Sequence, residues 1–241
     1  MTPPSDPAQT LDDEPIAVEE ASNDRLLYLS DGVFAVVITL LVLELKVPRP
    51  TATVGTDTTL LQVLRGFVPL LPSLFGYVLS FVTVGIMWAN HCVLFRYIKK
   101  NDHFLTVINT LVLLVVAFVP FVTAVLAAYL PLPAPYPQAA ALIYCGSNLL
   151  MAVSFNVLWR HASRDNRLLD PSLDPRLLER VHQRYRFGPH IYAGCFLLGF
   201  VSVWLALAVA ALLALLFALP YGDEARAIEE RLSRFKGRRS P

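Results

Sequence analysis

The chain is a succession of apolar runs too long for the core of a soluble domain, separated by short charged segments. The first run, 26–47, is interrupted by Asp31 and Glu44. The second, Gly66–Phe95, passes 30 residues without a charged side chain. The third, Phe104–Trp159, extends that pattern over 56 residues, and the last, Phe187–Gly222, over 36. A helix of about 20 apolar residues crosses the hydrocarbon of a bilayer, so every run is long enough. The cluster Pro131-Leu132-Pro133-Ala134-Pro135-Tyr136-Pro137 cannot continue a helix and splits the third run into spans near 104–130 and 137–159. The pattern predicts an all-α integral membrane protein.

Charge decides how the last run divides. Segment 160–186 carries seven Arg, and the tail after residue 222 carries six Lys plus Arg. Lys and Arg collect on the cytoplasmic side. These two segments therefore share a side, and an even number of crossings lies between them. The resulting expectation is six transmembrane helices with both termini cytoplasmic, which puts 17 of the 20 basic residues inside. Only Lys46, Arg49 and Arg65 fall outside. Helices five and six then share a short run, so the fifth is expected to begin early, with Asp174 as its cap and Pro175 in the first helical position.

Polar residues within the spans fall at one depth. Counted from the cytoplasmic ends by helical rise, Asp31 lies about 9 Å in, His91 about 7 Å and Asn109 about 9 Å, with Trp88 and Asn90 close to His91. Such groups need partners where neither water nor lipid supplies them. Three readings follow: a clamp of helix one against helices two and three, a proton site at Asp31 and His91, or a gate sensitive to pH or voltage. On the far side of helix one, Gly32, Val36, Thr39, Leu40, Leu43 and Val47 form an apolar stripe with one hydroxyl, Asp31 pointing about 140° from Val36. That stripe faces either lipid or a pore. Glu44 lies near the outer mouth, about 80° from Val36 on the wheel, either concentrating cations there or paired with Lys46 or snorkelling to the interface.

Composition sharpens the class. The 241 residues are 55% apolar and 16% charged, with a net charge of +1, and the mean hydropathy is +0.53. A disulfide scaffold and a nucleic-acid binder are thereby excluded; Cys92, Cys145 and Cys195 all lie in apolar segments. Residues 1–24 hold seven acidic residues and no Lys or Arg, which is not a signal peptide, and read as a disordered acidic tail. Residues 25–221 form the six-helix membrane domain. The basic tail, 222–241, places Ile228, Leu232 and Phe235 at helical spacing, as in a helix lying on anionic lipid or simply solvated. Trp159 beside Arg160 reads as an interfacial anchor. No His-Glu-x-x-His occurs, the five histidines are scattered, and no nucleophile is paired with a base, so an enzyme is not indicated. No resident cofactor or metal is called for.

The stretch Arg25-Leu26-Leu27-Tyr28-Leu29-Ser30-Asp31-Gly32-Val33-Phe34-Ala35, continued by Ile38-Thr39-Leu40-Leu41-Val42-Leu43-Glu44-Leu45, resembles the first-helix signature of the transmembrane protein 175 family of potassium channels. Leu29 stands where that signature has Phe. Trp88-Ala89-Asn90-His91 in helix two, and Asn109 with Pro120-Phe121 in helix three, fit as well, so the match covers residues 25–125. The resemblance implies a homotetramer in a plasma or inner membrane, with helix one of each subunit lining a central path for monovalent cations. It implies apolar rings at Val36 and Leu43, a hydroxyl ring at Thr39 that sets ion selectivity, and moderate preference for K+ over Na+. Arg25, Ser30, Asp31, Trp88, His91 and Asn109 are then a network holding helix one in place. The competing expectation is a proton-coupled secondary transporter using Asp31 and His91.

Overall fold

The structure, a computed structural model, describes residues 7–47 and 59–218, with side chains over 23–47 and 59–216. Among these residues it is all-helical: α1 (Pro7–Leu40), α2 (Leu60–Arg65), α3 (Leu71–Tyr97), α4 (His103–Ala117), α5 (Val119–Tyr129), α6 (Tyr136–Ala162), α7 (Pro175–Leu198) and α8 (Val203–Ala218). Among the described residues the one strand-like feature is an isolated antiparallel bridge between Ile98 and Leu169. The basic C-terminal tail, with Ile228, Leu232 and Phe235, and Arg49 lie outside the described residues.

These helices make six rods. Among the described residues four segments are long and apolar enough to cross a membrane: Asn23–Glu44, Leu60–Tyr97, His103–Tyr129 and Tyr136–Ala162. The remaining two rods are α7, whose first half is charged, and the 16-residue α8. The second rod is built from more than one piece: the short α2 and a 3-10 turn at Val68–Leu70 precede α3. The third is also broken, because Pro120 has no N–H to offer the preceding turn. The backbone tightens there, with the Phe118 N–H donating to the Val115 carbonyl, and α5 resumes one residue later.

The fifth rod starts where expected. The Asp174 carboxylate accepts the Arg176 N–H at 2.8 Å, and Pro175 occupies the first helical position. At the other end of the chain, the backbone is helical from Pro7, so residues 7–24 continue α1 where a disordered tail was expected.

The core follows helical spacing. On α7 the buried positions are Val181, Tyr185, Gly188, Tyr192 and Cys195, a seam of alternating four- and three-residue steps that meets α6. Helix α6 is central and touches α4, α5, α7 and α8, while α3 touches α1, α5 and α8. Gly199 lets α7 end hard against α6: a Cβ there would stand 2.8 Å from Leu142 Cδ2. Trp159 is not at an interface. It is 1% exposed, with ring contacts to His182 at 5.4 Å and Tyr185 at 5.9 Å, because the long first half of α7 covers the last turn of α6.

One end of the bundle is tied by backbone hydrogen bonds between loops. The N–H groups of Lys99 and Lys100 donate to the Leu168 carbonyl, and the Asp170 N–H donates to the Tyr97 carbonyl. The Asn23 side-chain amide donates to the Ile98 carbonyl at 2.8 Å, and Asp102 caps α4 through the Leu105 N–H at 2.7 Å. Asp102 also lies 2.9 Å from His161 Nε2 and accepts from Arg167 at 2.9 Å. The start of the membrane portion of α1 and the basic segments 96–100 and 160–174 therefore share one end, as the charge argument requires of them.

Candidate pore helix and its anchoring network

Helix α1 presents two faces of opposite character. Phe34, Val37 and Leu41 are buried against the bundle. Val36 is 55% exposed, Leu43 67% and Val47 80%, and Gly32, Thr39 and Leu40 are exposed beside them. The stripe read from the helical wheel is therefore the face that the subunit leaves uncovered. Thr39 turns its hydroxyl inward to its own helix, with Oγ1 2.8 Å from the Val36 carbonyl and 3.1 Å from that of Ala35. Glu44 ends the 3-10 turn Leu41–Glu44 that follows α1, half-buried.

On the other face the polar residues fall into two sets. In the first, Asn109 Nδ2 donates to Ser30 Oγ at 2.9 Å, and Ser30 Oγ donates to the Leu26 carbonyl at 2.8 Å. Asn109 Oδ1 is left as an acceptor, so the His91 Nε2 lying 2.8 Å away carries the proton between them. All three residues are completely buried. The His91 ring is stacked on Phe95 at 4.5 Å and tilted against Phe34 at 5.5 Å. In the second set, Trp88 Nε1 donates to Asp31 Oδ1 at 2.8 Å, and the Cys92 thiol points at the same oxygen from 3.8 Å. Three helices are thus joined through side chains one turn or less apart: α1 to α4 by Ser30 and Asn109, α4 to α3 by Asn109 and His91, and α1 to α3 by Asp31 and Trp88.

Two residues expected near this layer stand elsewhere. Arg25 is exposed and belongs to neither set. Asn90, one position before His91, points about 100° away from it and donates to the Ile86 carbonyl of its own helix. A further buried polar contact was not anticipated: Thr123 Oγ1 of α5 lies 2.7 Å from Ser80 Oγ of α3. Small hydroxyls are common in membrane helices, where they satisfy their own backbone, so neither stood out in a charge-free run. Among the described residues no group of three or more His, Cys, Asp or Glu side chains could hold a metal ion.

The fold and this arrangement define a polytopic helical membrane protein in which the first helix is braced on one side and bare on the other. Comparison with known proteins gives its family. A family model described as the endosomal/lysosomal potassium channel TMEM175 matches residues 25–120. A potassium channel of Chamaesiphon minutus is 42% identical over 207 residues, covering 84% of this chain and 97% of its own length. A potassium channel of Streptomyces collinus is 39% identical over 193 residues, with 80% and 90% covered. The crystal structure described as a lysosomal potassium-selective channel TMEM175 homolog from Chamaesiphon minutus superposes with a TM-score of 0.70 at 38% identity, over 82% of this chain and 97% of that one. The chain belongs to the TMEM175 family, a family of channels rather than enzymes, and its six rods fit that fold. The proton channel TMEM175 of Danio rerio matches over a shorter stretch, 37% identical across 106 residues and 20% of its length.

Proposed function

We propose that this protein is a potassium-permeable cation channel in which several copies, four by family resemblance, set their α1 stripes around a central path. The observation that carries this reading is the uncovered stripe itself, Val36 and Leu43 flanking Thr39, on a helix whose opposite face is fixed by directional hydrogen bonds. Val36 and Leu43 then form apolar constrictions that oppose conduction by dewetting, and Thr39 places a ring of hydroxyl oxygens between them. With no caged carbonyl filter, preference for K+ over Na+ is moderate. The arginine-rich end is cytoplasmic, as is the C-terminus, and the setting is a plasma or inner membrane. Glu44 lies at the opposite mouth, where repeated carboxylates concentrate cations.

The test is ion flux from purified protein in liposomes loaded with K+, against Na+ and proton gradients. K+ flux exceeding Na+ flux and indifferent to the proton gradient is the expected result. Val36→Asn should raise the current by easing wetting, whereas Thr39→Val should lower the K+ to Na+ ratio toward one. No change in either variant would place the stripe against lipid. Flux that demands or carries protons would move the argument to a transporter centred on Asp31 and His91. Against that alternative, the two side chains hydrogen-bond to different partners and do not form one relay.

A further inference from the structure

Away from α1, a pair of thiols meets between α6 and α7. Cys145 Sγ of α6 stands 3.7 Å from Cys195 Sγ of α7, and Cys195 Sγ is also 3.4 Å from the Ala206 carbonyl oxygen of α8. Both cysteines are buried, and neither takes part in the bracing of α1. Cys92, the third in the chain, lies on α3 beside Asp31.

The two helices come close on either side of this pair. A Cβ at Gly146 would stand 3.3 Å from the Phe196 ring, and one at Gly199 would run into Leu142. Residues 145 and 146 thus lie directly against 195 and 196, near enough for two side chains of one carbon and one sulfur to touch. A disulfide needs its sulfurs about 2 Å apart, so each has to advance by only about 0.8 Å. Rotation about the Cα–Cβ bonds supplies that without moving a helix.

Position opens the pair to a small oxidant. Cys195 is three residues from the end of α7 at Leu198, about 5 Å by helical rise, at the end of the bundle opposite the arginine-rich loops. The chain winds down there through short-range bonds: the N–H groups of Gly199, Phe200 and Val201 donate to the carbonyls of Phe196, Leu197 and Leu198. Such terminal turns open more readily than the body of a helix, and Val201 is 81% exposed. The orientation proposed above turns this end away from the cytoplasm, to the side where disulfides persist.

We propose that Cys145 and Cys195 form a reversible intramolecular disulfide when the protein meets a small neutral peroxide. One sulfur attacks the peroxide, the O–O bond breaks, and a sulfenic acid and a water result. The second sulfur displaces the hydroxyl: the S–S bond forms, the S–O bond breaks, and a second water leaves with the remaining thiol proton. The two sulfurs give up two electrons and the peroxide oxygens take them. The link has a mechanical effect on α7. Pro189 has no N–H for the Tyr185 carbonyl, and the Asn156 side-chain amide of α6 donates to that carbonyl instead. Oxidised, α7 is fastened to α6 on both sides of its proline.

The experiment uses the purified full-length protein in detergent, reduced, freed of reductant and then treated with hydrogen peroxide. Intact mass is measured, thiols are labelled with a maleimide after denaturation, and the protein is digested for peptide mapping. The expected product has lost two hydrogens, yields a linked Cys145–Cys195 peptide and takes no label at either position. Its unfolding midpoint should rise by several degrees and fall back on reduction with dithiothreitol. Cys145→Ala and Cys195→Ala should each show neither the link nor the rise. Labelling of both cysteines after peroxide treatment would overturn the proposal. So would a sulfinic acid at either in place of the link, a disulfide from either to Cys92 or to another copy, or a linked product with an unchanged midpoint.

Discussion

Ser30, Asp31 and His91 show how much a single residue's neighbours matter. Asn109→Leu removes the acceptor of the buried His91 Nε2–H and leaves Ser30 Oγ with only the Leu26 carbonyl. A stranded buried donor costs about 1–3 kcal/mol, with membrane settings toward the lower figure, so the variant should lose oligomer and unfold a few degrees earlier in a detergent thermal scan. Asp31→Asn should be mild by the same measure, because an amide oxygen still accepts from Trp88 Nε1; Asp31→Leu should be severe. The residues of this layer were legible in the sequence because a carboxylate, an imidazole and an amide stand out in runs of Leu and Val. Their pairing was not. Helical rise gives depth, but a rotation of 100° between neighbours sends Asn90 one way and His91 the other, and only the packed bundle fixes which residue meets which partner.

At the scale of helices, start signals were read more easily than interruptions. The Asp174-Pro175 start of α7 carries its own local chemistry, and it was found from that chemistry. The break between α4 and α5 lies inside an unbroken apolar run, where Pro120 is tolerated because the rest of the bundle holds the two pieces in line. Trp159 misled because a tryptophan beside an arginine usually marks an interface; the covering half of α7 is polar enough to look like loop. The Asn156–Tyr185 hydrogen bond makes a sharper prediction about α6 and α7. Asn156→Leu alone should destabilise by about 1–2 kcal/mol, since it strands a buried carbonyl. In a Pro189→Ala background the restored N–H at residue 189 serves that carbonyl, and the same change should cost markedly less. Unfolding midpoints of the four proteins in the cycle give the coupling directly; strict additivity would mean that the amide and the proline act separately.

For the molecule as a whole, the arginine-rich end is where the loops lock, and Asp102 is central to it. Burial pushes its carboxyl upward, but the Leu105 N–H, His161 and Arg167 together outweigh that and hold it below its usual value of 3.8. A carboxyl held low contributes stability that is complete above the usual value and is lost as pH falls through the lowered one. Thermal scans should therefore show the wild type above Asp102→Asn at neutral pH, with the gap closing below about pH 4. The shared placement of segments 96–100 and 160–174 was foreseeable from charge, because positive side chains sort to one side. The hydrogen bonds that join them were not, being made by backbone whose partners depend on how the loops turn.

The same lock gives α1 a fixed pivot. Asn23 is bound to the Ile98 carbonyl at the arginine-rich end, while Val37 and Leu41, near the other end, are held by apolar contact, which has no preferred direction and tolerates sliding. By helical rise, Ser30 and Asp31 sit about 10–12 Å from the pivot and Thr39 about 24 Å. A swing of about 5° thus moves the polar contacts by roughly 1 Å and Thr39 by roughly 2 Å. Because hydrogen bonds of 2.8–2.9 Å are lost when stretched by such a distance, the contacts of Ser30 and Asp31 act as stops close to the fulcrum and limit how far the distant end of the bare stripe can travel.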